Sequence, residues 1–155
     1  MDFRCDDPQA LRTLNGLMLE LVTRYMRNAA QVFGDDYDAA IIFLAVAEAN
    51  GRASRHDVSL NERIPDLGAP LPPEDVRPMS RQAIAESLGL PRETVRRKIA
   101  ALVAQGFLEE DPRGGVILVR GVAANAVFVA AQTRVLGYVR QFQSDLEKYL
   151  GRRDK

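Results

Sequence analysis

Four charged side chains, Arg92, Glu93, Arg96 and Arg97, follow one another closely at the start of the run PRETVRRKIAALVAQG. An arginine there can bond both acceptors of a guanine edge as a fork, and a glutamate can accept from the cytosine amino group. Helical spacing decides which way these groups face. Val95, Ile99, Leu102 and Val103 fall at i, i+4, i+7 and i+8, one apolar stripe for a core, which leaves Arg92, Glu93, Arg96, Arg97 and Ala100 on the outer face. Gly106 is placed to end this helix near Gln105.

Upstream, Ser80 is a suitable cap for a short helix from Arg81 to Ser87, its hydroxyl meeting an amide that the first turn leaves unpaired. Leu88-Gly89-Leu90 breaks that helix, because Gly89 tolerates a positive φ and Pro91 disfavours helical geometry at Leu90 while suiting the start of the next helix. Helix, tight turn and longer helix make a helix-turn-helix, with Ser80 and Arg81 near enough to hold phosphates. Downstream, Phe107 to Asp111 and Val116 to Arg120 flank Pro112-Arg113-Gly114-Gly115, a two-stranded hairpin with Arg113 at its exposed tip. On a duplex, Arg113 would reach the minor groove.

These residues resemble the winged helix-turn-helix transcription regulators, most closely the DNA-binding domain of the cyclic-AMP receptor protein and Fnr family. The likeness rests on Arg81-Gln82, Ile84-Ala85, Gly89 and Arg92-Glu93-Thr94-Val95-Arg96-Arg97. It implies base contacts from Arg92, Glu93 and Arg97, and phosphate contacts from Thr94 and its basic neighbours Arg96 and Lys98. Pro91 stands where the family commonly has a polar cap, and nothing reads as the family's cyclic-nucleotide sensor barrel. The family's effector is therefore not carried over.

The whole chain has 155 residues, with 21 basic against 21 acidic side chains. A net charge of zero opposes duplex binding as a bulk property, but the distribution is uneven. Arg81 to Gln105 holds five basic residues against two acidic, and Gly34 to Ser80 four against nine. No run is apolar enough to span a bilayer and MDFRCDDPQA has no signal core, so a cytoplasmic protein without a membrane partner is expected. Cys5 and His56, each the only one of its kind, leave no Cys/His metal site, and no cofactor is expected. There is no phosphate-cradling glycine loop and no nucleophile pair, so the chain does not read as an enzyme.

The elements that must position this surface are long. Asp7-Pro8 opens a helix to about Phe33, with Leu11, Leu14, Met18, Leu21, Val22, Tyr25, Ala29 and Val32 at helical spacing and Leu17 and Met26 widening the stripe. Asp36 or Asp38 caps a second helix, Ala39 to about Asn50, apolar on nearly every side and hence buried. Arg52 to Met79 contains Pro65, Pro70, Pro72, Pro73 and Pro78. Such a stretch is compatible with an arm along DNA, a dimer strap or a plain insertion. Val122 to about Leu150 forms the last helix, with Val127 or Phe128, Ala131, Val135, Tyr138, Val139, Phe142, Leu146 and Tyr149 in its stripe.

The sequence predicts a mainly α fold: a winged helix-turn-helix core with a small β-hairpin wing and long N- and C-terminal helices. One domain, 1–155, would comprise a dimer helix (7–33), the winged core (38–120, with the insertion 52–79) and a second dimer helix (121–150). Flanking helices of this kind resemble the layout of MarR-like regulators, which implies a homodimer. The expected partner is double-stranded DNA, read in a sequence-specific way for transcription regulation. A small apolar or aromatic effector between the long helices and the core would be lined by side chains that look like ordinary core. The alternative is a winged helix serving as a protein-interaction module or transcription accessory scaffold.

Overall fold

The computed structural model describes residues 8–52 and 71–153, residues 150–153 by their backbone alone. The Asp7 cap, Cys5, His56 and most of the proline-rich insertion lie outside the described residues. Helix α1 spans Pro8–Val32 and α2 spans Tyr37–Asn50. The turn between them is closed by Gly34 at φ 66° and by Asp35 N–H donating to the Ala30 carbonyl at 2.9 Å. Asp36 caps α2, its Oδ1 accepting from the Ala39 amide at 3.0 Å, and the helix starts two residues earlier than the apolar pattern marks.

Helix α3 spans Arg81–Leu88 and α4 spans Arg92–Ala104. Strands β1, Leu108–Glu110, and β2, Val116–Leu118, pair antiparallel with Leu108 opposite Leu118 and Glu110 opposite Val116. The wing has a third edge that the sequence pattern hides. Met79 bridges Val116 through two backbone hydrogen bonds, 3.1 and 3.0 Å long, just before the Ser80 cap. Gly115, at φ 92°, makes that approach feasible: a Cβ there would stand 2.7 Å from the Met79 carbonyl oxygen.

The last helix begins later than its apolar residues indicate. Val122–Ala124 is a 3-10 turn, and α5 spans Ala126–Arg153, running past Gly151. Asn125 separates the two, its side chain accepting from the Val127 amide at 3.0 Å as a cap does.

The core is built from the predicted stripes. Ile42, Val46, Ile84, Val95, Ile99, Leu102, Leu108 and Val116 are almost fully buried and join α2, α3, α4 and the wing in one cluster. Phe33, Phe43, Phe107 and Phe128, from four separate parts of the chain, meet with ring centroids 5.0 to 6.4 Å apart. This aromatic hub is where the winged core joins the long helices. Beyond it α1 and α5 lie antiparallel, with Asn28 Nδ2 donating to the Ala131 carbonyl and Leu17 and Leu21 beside Phe142. Part of the α1 stripe is thus spent within its own chain.

Candidate nucleic-acid interface

The turn between α3 and α4 fixes the pose of the second helix. Gly89 adopts φ 65° and ψ 23°, and the Gly89 and Leu90 amides both return to the Ala85 carbonyl. Ser80 Oγ accepts from the Ala83 amide at 3.1 Å, so this hydroxyl is occupied as a helix cap. Pro91 precedes α4 without a side-chain cap bond, which leaves the first amides of α4 without a capping side chain.

Val95, Ile99 and Leu102 are buried while Arg92, Glu93, Arg96 and Arg97 are exposed, the division that a 3.6-residue period dictates. The charged groups are not equivalent. Arg96 grips both carboxylate oxygens of Glu93, Nε at 2.8 Å and a terminal nitrogen at 2.6 Å, and that hydrogen bonding holds the Glu93 carboxyl below its usual range. Among the described residues Arg92 and Arg97 make no ion pair within 4.0 Å.

Three other cations selected from the sequence are held by carboxylates far away in the chain or across the wing turn. Arg81 bonds Glu110 of the wing, and Lys98 bonds Asp36, the residue that caps α2. Burial would raise the Asp36 pKa, but the bonds from Lys98 and the Ala39 amide outweigh it and the net shift is downward. Arg113 folds onto the buried Asp111 and reaches the Val76 carbonyl at 3.1 Å. The hydrogen bonds from the Arg113 side chain and backbone bring the Asp111 carboxyl from 3.8 to about 2.

The structure thus gathers Arg92, Glu93, Thr94, Arg96 and Arg97 on one outer surface. It gives Lys98 to the α2 junction and ties Arg113, in the hairpin turn, back onto Asp111 and the Val76 carbonyl. Sequence reasoning missed Asn50, 4% exposed, whose Nδ2 donates to the Arg77 carbonyl at 2.7 Å and whose Oδ1 accepts from the Leu118 amide at 2.9 Å. Its signal was an uncharged polar residue closing a helix that, between Asp38 and Glu48, is wholly apolar.

Between α1 and α5 the crevice beside Leu17 and Tyr138 measures only about 10 Å³, room for at most a water. A cleft of about 400 Å³ opens elsewhere, where Ala47, Asn50, Val76, Ile117 and Val122 meet. Among the described residues, no three His, Cys, Asp or Glu side chains gather as a metal-holding group, and no helix is long and apolar enough to cross a membrane.

Residues 59–124 match the Crp-like helix-turn-helix domain. The matched stretch takes in α3, α4 and the wing but neither long helix, and it supports a helix-turn-helix regulator. No curated protein and no solved structure matches the chain.

Proposed function

We propose that the protein is a sequence-specific, double-stranded DNA-binding transcription regulator that acts as a homodimer. The observation that carries this reading is the outer face of α4. Arg92 and Arg97 stand exposed there without an ion pair among the described residues, on a helix whose opposite face is locked into the core. Two unpaired guanidinium groups on a rigid helix are pre-organised for base edges in a major groove. Glu93 would read a base once Arg96 turns to a phosphate, a swap of one exposed pair for another that costs little. Thr94 and the uncapped amides at the start of α4 suit a phosphate, and Ser80 and Arg81 at the start of α3 would hold another once Arg81 leaves Glu110, an exposed pair that costs little to break. Lys98 and Arg113 contribute by holding α4 and the wing in place. The chain works as one unit, in which the winged core reads DNA and the long helices pair two copies. A two-fold dimer would set two recognition helices roughly 34 Å apart, one turn of duplex.

Selection of bound sequences from a random duplex pool, followed by gel-shift titration of wild type and Arg97→Ala, tests the proposal. Losing one base fork should weaken binding by about 1–3 kcal/mol and relax one position of the site. An unchanged sequence preference rejects the assignment.

A protein-interaction module is the second reading, and one observation favours it: Arg81, Arg96, Lys98 and Arg113 are each neutralised within the chain. Retention on random duplex at low salt, released at moderate salt, counts against it.

A further inference from the structure

The long helices carry more apolar periodicity than their contact with each other uses. On α1, Ala10, Leu14, Leu17, Leu21, Arg24 and Asn28 recur in steps of three and four. On α5, Phe128, Ala131, Val135, Tyr138, Phe142 and Asp145 do the same. These two series face each other. Asn28 bonds Ala131, Arg24 lies 5.9 Å over the Tyr138 ring, and Leu17 and Leu21 border Phe142.

A second pair of series, displaced by one residue, runs Leu11, Asn15, Met18, Val22 on α1 and Val129, Gln132, Leu136, Val139, Gln143, Leu146 on α5. Its steps are again three and four, the spacing of a coiled-coil seam, and it contains no charge. Leu11, Met18, Val22, Val129, Leu136 and Val139 remain 37% to 59% exposed.

Both spare series lie on one flank of the helix pair. Glu20 and Arg24 of α1 sit beside Gln141 and Asp145 of α5 along one edge of the inner seam. At about 100° per residue, Leu11, Met18 and Val22 fall on the other side of the α1 seam, and Val129, Leu136 and Val139 on the other side of the α5 seam. In an antiparallel pair these two outer arcs open in the same direction. The α1 series stops being free at Ala29, which is already covered together with Ala30 and Ala40.

We propose that this flank receives a second copy of the chain, two α1/α5 pairs closing into a four-helix bundle about a two-fold axis. A two-fold contact must be complementary to itself, which an uncharged apolar seam satisfies and a patch of one charge does not. Half-exposed side chains in this number leave several hundred Å² of apolar surface, at the upper end of what a monomer keeps bare. Asn15, Gln132 and Gln143 are uncharged polar residues within the seams, the kind that fixes register in a bundle. This assignment deepens the dimer reading above and rests on it.

Light scattering or sedimentation equilibrium of the full chain without DNA tests the surface. A dimer is expected, and Leu136→Glu should weaken it by on the order of a hundred-fold while circular dichroism keeps its helical signal. Leu11→Glu should act in the same way from the other helix, and Gln141→Glu, on the opposite flank, should leave self-association unchanged. A monomeric wild type overturns the proposal, as does self-association that survives both glutamate variants. Loss of helix in both variants overturns it too, by making the flank part of the core, and so does binding to neutral-lipid vesicles in place of self-association. Because the assay contains no duplex, a dimer that later ignores DNA defeats the regulator reading alone.

Discussion

The winged core and the long helix pair solve the same problem differently. In the core, each stripe has one destination: Ile84, Val95, Ile99, Leu102 and Val116 meet from three directions and leave almost no surface bare. In the helix pair the inner seam is interrupted by Asn28 and Arg24, while Leu136 is 59% exposed and Leu19 likewise 59%. The core is a finished solid, whereas the pair stops halfway. Stability of the single chain should therefore reside in the core, and the pair should respond more to association than to side-chain truncation.

Truncations across the two regions put that contrast to the test. Phe43→Ala should cost about 3–5 kcal/mol in chemical denaturation, because it removes a buried ring that touches three others and leaves a cavity. A loss below 1 kcal/mol would erase the distinction. Asn50→Ala comes next, at about 2–3 kcal/mol, since the Arg77 carbonyl and the Leu118 amide both lose their partner. On the pair, Asn28→Ala should cost only about 1 kcal/mol, because the Ala131 carbonyl also serves its own helix and Arg134 is free to turn to water.

The smallest effect sharpens the contrast within the core itself. Asp111 is lowered from 3.8 to about 2 by Arg113, so its contribution to wing order is complete above about 4 and is lost as the pH falls towards 2. Wing amide shifts followed by NMR should titrate in that window and stop doing so in Asp111→Asn.

Legibility in the sequence followed the range of the interaction. Ser80, Gly89 and the Val95, Ile99, Leu102 stripe act within a few residues of themselves, so propensity and period locate α3, the turn and α4 closely. Arg81 with Glu110 and Lys98 with Asp36 are partners 29 and 62 positions apart. Residue type marked these cations as available for phosphate, and only the tertiary fold shows what occupies them. Met79 was hidden for another reason, since a single bridging residue between Pro78 and Ser80 has no alternation to display. The long helices show a subtler loss. Leu11, Leu14, Met18 and Leu21 read as one broad stripe, and antiparallel packing was needed to separate a used seam from a spare one.

The four-ring hub sets a limit on how this chain can be cut or grafted. Of its phenylalanines only Phe107 lies inside the matched stretch 59–124; the other three come from the ends of α1 and α5 and from α2. A fragment trimmed to that stretch would keep α4 and forfeit the wall it leans on, so the portion similar to other proteins is not a module that could be transplanted alone.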